Sequence, residues 1–206
     1  MSRSHALGMM STILILVLFL ATPQGQTRNQ SIESFGSTAP TSIETLWRGS
    51  DVVVHGRVTR ASGSSEILPD SKPPMVVRFS EFESYNVLKQ DPKAPGASHF
   101  RIAQEGGTVR SGSSLVSRAY TEPLLTDGDE AVLFLQKGAG CSCYWIHSGG
   151  AGQFRFDRSS NFSVLRLSGP ARRMRDLPAP ASGQLATQDF LTILSALGDR
   201  IRKGGG

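Results

Sequence analysis

The chain has little of what most functional signatures are built from. Its 206 residues include two cysteines and four histidines, with 19% charged and 7% aromatic residues. Two cysteines cannot staple a disulfide-rich mini-scaffold. The absence of a glycine period, a heptad run or a charge excess excludes collagen, coiled coil and a wholly disordered chain. A single long apolar run excludes a multi-spanning membrane protein. There is no Gly-x-Ser-x-Gly elbow, no phosphate loop with its lysine, and no complete calcium loop. What the chain does have is turn formers, Gly 22 and Pro 11, beside 38% apolar residues. That composition suits one domain with a core of its own and leans towards β structure.

The N-terminus reads as an address. Arg3 and His5 precede an uncharged apolar stretch from Gly8 to Ala21, and Pro23 breaks it. A spanning helix needs about 20 apolar residues, so this stretch fits a signal peptide over 1–26, cut near Gly25 or Gln26, better than an uncleaved anchor. The expected localisation is secreted or periplasmic. The formal charge of +5 falls to +4 when Arg3 is removed. Most of that surplus sits in residues 171–206, and the body over 27–170 is close to neutral. A nucleic-acid binder would carry a basic stripe with interleaved aromatics on its folded body. No nucleic-acid partner is expected.

Residues 27–41 form a polar leader. Ser42 or Thr41 caps a short helix with Ile43, Leu46 and Trp47 at helical spacing. Strands are predicted at 51–60, 75–89, 99–104, 130–136, 144–147, 153–156 and 162–167, from β-branched runs or alternation. Gly56 marks a bulge or a close backbone approach in the first. The second is long and bent, with a register break near Phe79–Phe82, and the run Glu130–Gln136 is apolar on both faces and so central. The loops Ala61–Pro74 and Thr108–Thr126 are long and polar. Residues 168–186 read as a Pro- and Gly-rich linker carrying Arg172, Arg173 and Arg175. Over 187–203, Phe190, Ile193, Leu194, Leu197 and Ile201 share one helical face, with Thr187 as cap and Gly204 as stop. This stripe is expected to dock on the barrel; left free, it would give a weak membrane-surface contact. The fold class is mainly β: a small antiparallel, OB-like barrel over 42–167, with a short N-terminal helix and a C-terminal amphipathic helix.

Leu46-Trp47, Ser50-Asp51-Val-Val-Val-His-Gly-Arg-Val58, Phe82-Glu-Ser-Tyr-Asn-Val-Leu-Lys89, Gly106-Gly107-Thr-Val109 and Gly128-Asp-Glu-Ala-Val-Leu-Phe-Leu135 together resemble a group of uncharacterised secreted bacterial β-barrel proteins. The strand layout is more distantly similar to netrin-like modules, the OB-type barrels of tissue inhibitors of metalloproteases. The resemblance spans roughly Ile43 to Phe156 and implies a barrel fold. Those inhibitors chelate a protease zinc through a cysteine at the mature N-terminus, and this chain has no cysteine near Gln26.

Cys141-Ser-Cys143 is the sharpest local feature. In an oxidising compartment the pair offers a small disulfide; with His147 it offers soft ligands for a metal, although no second pair lies nearby in sequence. The serines of Arg110–Leu115 lack the strand-to-helix context of a nucleophile. Asp127-Gly-Asp129-Glu130 reads as a turn before a strand, and Glu81 with Glu83 as solvated strand positions. Gly106-Gly107 lacks the features of a phosphate site. The sequons at Asn29 and Asn161 matter only in eukaryotic secretion. No catalytic residue, cofactor site or metal site is assigned. The expected function is a secreted, non-enzymatic binding module for a protein or surface polymer, its two long loops carrying recognition. A protease-inhibitor-like module is the alternative, and a hydrolase or metal-dependent enzyme is third.

Overall fold

The computed structural model describes residues 40, 42–68, 75–120, 122–139, 141–157, 164–166, 174–177 and 185–204. The predicted signal peptide, nearly all of the leader, both sequons and most of the predicted linker lie outside the described residues. In chain order the elements are α1 (Ile43–Gly49), β1 (Val52–Ala61), β2 (Glu66–Leu68), β3 (Met75–Lys89), β4 (His99–Glu105), β5 (Gly107–Ser111) and β6 (Ser114–Arg118). They continue with β7 (Glu130–Lys137), β8 (Tyr144–Ile146), a 3-10 turn (Gly149–Gly152), β9 (Gln153–Asp157), β10 (Val164–Arg166), β11 (Leu185–Ala186) and α2 (Thr187–Gly204).

Five strands close a barrel in the order β1-β3-β4-β8-β7, and β7 returns to β1. The barrel is not wholly antiparallel, as the sequence had suggested. Strand direction cannot alternate all the way round an odd-membered ring, and the mismatch falls at β4 and β8, which run parallel. That seam is short, pairing Ile102 with Tyr144 and Ala103 with Trp145.

Alternation along the strands builds two cores from one sheet. Val52, Val54, Val58, Phe82, Phe100, Ile102, Leu133 and Leu135 fill the interior. Val53, Val132 and Phe134 point outwards, where Phe154, Phe156 and the two helices cover them. β7 is therefore buried on both sides, which explains its unbroken apolar sequence. Phe190, Leu194 and Leu197 of α2 complete the outer core, so the helix docks. Each such side chain contributes about 1.5–3 kcal/mol before entropic losses. The apolar stripe that would have given a weak membrane-surface contact if left free is largely covered.

Bends let a long strand follow the barrel wall. The β1–β3 register slips between Val53 and Val54, between His55 and Gly56, and between Val58 and Arg60. At Gly56 a Cβ would overlap the Glu83 carbonyl, so only a bare backbone fits there.

Two further expectations need correction. The stretch after Gly107 is not an irregular loop: β5 and β6 form a hairpin, entered through Gly106 and Gly107 at φ 128° and 114°. Most of its residues are exposed or half-exposed, so no burial period marked it in sequence. The predicted linker also contributes packed structure. Met174 and Leu177 join the outer core, and β11 pairs with β10. Asp176 accepts hydrogen bonds from the backbone N–H groups of Ile43 (2.7 Å) and Glu44 (3.1 Å) at the start of α1.

Candidate functional site

β3 begins Met75-Val-Val-Arg-Phe, with apolar residues at neighbouring positions instead of strict alternation. Such a strand presents apolar side chains to both sides. Phe82 serves the interior, while Val77 and Phe79 belong to a separate cluster with Ala103 and Cys143. Register makes the cluster continuous: Phe79 pairs with Ala103 of β4, and Ala103 with Trp145 of β8. The result is an apolar row across the outer face of β3, β4 and β8.

Two connections border this row. On one side β2 brings Leu68 opposite Met75, and both pack half-buried against the cluster. On the other is the β7–β8 turn, where a disulfide joins Cys141 to Cys143, two positions apart. The Gly138 N–H donates to the Cys143 carbonyl at 2.8 Å and closes this turn. A Cβ at Gly138 would collide with Cys141 Sγ and lie 2.9 Å from Trp145 Nε1, so disulfide and indole pack directly over bare backbone. Cys143 is 1% exposed, whereas Cys141 remains partly accessible. The Arg101 guanidinium lies 3.7 Å from the Phe79 ring centroid and gives the face a cationic edge. In the chain-entropy account so short a loop gains on the order of 1.5 kcal/mol, about half the value for fifteen residues. Stability is a weak reason for placing a disulfide here.

Among the described residues, His55, His99 and His147 do not assemble with the cysteines. His55 Nε2 lies 3.0 Å from Glu130 Oε1, flanked by Tyr85 and Phe156 rings. His99 Nδ1 lies 3.0 Å from Ser98 Oγ. His147 sits against the end of α1, its Nδ1 3.1 Å from Ser50 Oγ, and burial holds its pKa below the usual value. Ser50 Oγ donates to the Leu46 carbonyl at 2.7 Å, and the Lys89 ammonium donates to Trp47 O, Arg48 O and Ser50 O. Gln136 takes the Gly49 carbonyl at 2.9 Å. These polar groups serve the C-terminal carbonyls of a short helix. Among the described residues no group of three or more His, Cys, Asp or Glu is placed to hold a metal ion.

The acidic candidates also have structural partners. Asp127 accepts from the Ala61 N–H at 2.5 Å, Asp129 accepts from the Thr126 N–H at 2.6 Å and pairs with Arg155, and Glu83 faces Arg57 at 3.4 Å. Glu81 is paired in register with Arg101.

Residues 122–126 form a strap that inserts Leu125 into the barrel interior. Buried Gln104 clamps it. Its Nε2 donates to Glu122 Oε1 and to the Pro123 carbonyl, each at 3.2 Å, and its Oε1 accepts from the Leu125 N–H at 2.8 Å. Glu122 Oε2 is buried against Gly149 without a hydrogen-bond partner. Burial, aided by the nearby Glu105 charge and opposed by Gln104, raises the Glu122 pKa to about 7. The 3-10 turn above it starts after Ser148, held at φ 57°.

The loop Ala61–Pro74 supplies one border of the face through Leu68, with 69–74 outside the described residues. Trp145, Phe79 and Arg101 were missed as site residues. The apolar doublet at Val76-Val77 and the Trp beside the cysteine pair were the available signals. Fold and face together define a closed five-stranded barrel whose outer wall carries an apolar row, with Phe79 and Ala103 buried and Trp145 half-buried, beside a disulfide turn. No protein-family profile, curated protein or solved structure matches the chain.

Proposed function

We propose that the protein is a secreted or periplasmic, non-enzymatic binding module of OB-like architecture, and that its ligand is a protein or surface polymer. Support for the OB-like reading comes from topology. Numbered within the ring alone, the strands run 1-2-3-5-4 and return to 1, with the third and fifth parallel. OB barrels bind polymers on the face of their second and third strands, between the first-to-second and fourth-to-fifth connections. Here those are β3, β4, the connection containing β2, and the disulfide turn.

One observation carries the binding reading: the row Phe79–Ala103–Trp145 is bordered by these two connections and has Arg101 at its edge. Tryptophan and arginine side chains are enriched among interface anchors, and an indole offers a large apolar surface with a polar N–H at its edge. Trp145 also reports on the site, because the other tryptophan, Trp47, is buried beneath α2. Titrating the mature protein with an extended apolar peptide and with soluble cell-wall oligosaccharides should give a saturable change in Trp145 emission for one of them. Trp145→Phe should abolish that change, and Arg101→Ala should weaken binding. Unchanged emission with both ligand classes rejects the reading.

A second reading, a protease-inhibitor-like module, draws on the β5–β6 hairpin. Leu115 beside its tip is 58% exposed, the most open large apolar side chain among the described residues. Inhibition of secreted proteases that is lost in Leu115→Ser would favour this reading.

A further inference from the structure

We propose that the Cys141–Cys143 disulfide is an exchange site at which a polypeptide bearing a free cysteine is captured through Cys141. The inference rests on the binding reading of the β3–β4–β8 face and names the partner's chemistry: an extended apolar segment carrying a thiol.

Placement is the first argument. The turn is already closed by the Gly138–Cys143 backbone hydrogen bond and by pairing of Lys137 with Tyr144, so the covalent bond adds little to the hairpin. Both cysteines of the chain are nonetheless committed to it. The second argument is asymmetry. Cys143 is buried in the apolar cluster, while Cys141, packed against its edge, is partly exposed, so an incoming thiolate approaches from the Cys141 side. Access decides which sulfur of a disulfide is attacked. Thirdly, Leu68, Met75 and Trp145 lie half-exposed around that sulfur's cluster, and they suit the apolar neighbours of a cysteine in an unfolded or extended segment.

The step balances without an external oxidant. The partner's thiol loses its proton to solvent, and its thiolate attacks Cys141 Sγ. A partner–Cys141 S–S bond forms as the Cys141–Cys143 bond breaks, and the electron pair leaves on Cys143 Sγ. A thiolate in apolar surroundings is disfavoured, so Cys143 takes up a proton. When it loses that proton again it attacks Cys141 Sγ, expels the partner thiolate and restores the ring. Capture is thus reversible, and one partner is held per chain.

The oxidised mature protein is incubated with an apolar cysteine peptide, a polar cysteine peptide of equal length, and glutathione. Each reaction is quenched in acid and read by intact mass and peptide mapping. The apolar peptide should form a mixed disulfide on Cys141 about tenfold faster than the other two thiols, the gain expected from modest prior binding. In Leu68→Ser the ratio of the apolar-peptide rate to the glutathione rate, both measured on the same variant, should fall towards one. Adducts on Cys143, equal rates for all three thiols, or no adduct in the folded protein would overturn the proposal. A serine version of the apolar peptide, followed by Trp145 emission, separates the two layers. Binding without adduct refutes exchange alone, whereas adducts at equal rates with silent emission refute the binding reading as well.

Discussion

Glu122→Gln should make the protein more stable in mild base and leave it almost unchanged in acid. In the unfolded chain this carboxyl ionises near pH 4.5, and in the folded protein it ionises at about 7. Below both values it is neutral in both states and costs nothing. As pH rises through this window the unfolded state releases the proton and the folded state keeps it, so stability falls and levels off above pH 7. The separation corresponds to about 3 kcal/mol, at 1.36 kcal/mol per unit. For a domain of this size that is a loss of about 6–12 °C in melting temperature. Glutamine keeps the shape and the acceptor for Gln104 Nε2 but cannot ionise. His147 acts in the opposite sense: its folded pKa lies below the usual histidine value, so its contribution is lost as pH falls below about 6.5. Subtracting the variant's curve from the parent's removes that background. Thermal melts of both proteins from pH 4 to pH 8.5 provide the measurement. Parallel curves across the range, or a variant less stable than the parent at pH 8, would refute the reasoning that Glu122 is held neutral by burial.

Three further outcomes are expected. Leu194→Ala should cost about 2–5 kcal/mol in urea unfolding, because the side chain is fully buried between α2 and the outer wall of the barrel. Asp176→Ala should cost about 1–2 kcal/mol and speed amide exchange at Ile43 and Glu44, whose N–H groups lose their acceptors. The double variant Cys141→Ser, Cys143→Ser should lose no more than about 2 kcal/mol in the same assay, since the loop it opens is so short.

Much of the barrel can be read from residues that see only their sequence neighbours. The bounds of β3 coincide with the run Met75–Lys89, and β7 was marked as central by being apolar on both faces. The stripe of α2 pointed to a buried face because five large side chains recur at helical spacing. What could not be read depends on pairings across long separations. The Phe79–Ala103–Trp145 row exists only once three strands are in register, and one of its joins is the parallel seam imposed by an odd ring. Met174 and Leu177 are isolated apolar residues among prolines and glycines, so no period distinguished them from a linker. The β5–β6 hairpin lies off the barrel sheet and is mostly solvated, leaving its glycines as its main sequence signal.

The way α1 is held sets an order of assembly. An isolated helix of seven residues is not stable in water. Its first turn is completed by Asp176, more than 130 positions later, and its last by Lys89, Gln136 and His147. During synthesis α1 is the first of these elements to be made, yet its first turn gains its acceptor only when the segment just before β11 and α2 arrives. Until then Ile43, Leu46 and Trp47 have no completed site to enter. A chain shortened before residue 174 would therefore lose more than its C-terminal helix: it would also leave these three apolar side chains unsecured at the opposite end of the sequence. α1 and the segment 174–177 thus depend on one another, and contacts this distant in sequence slow folding.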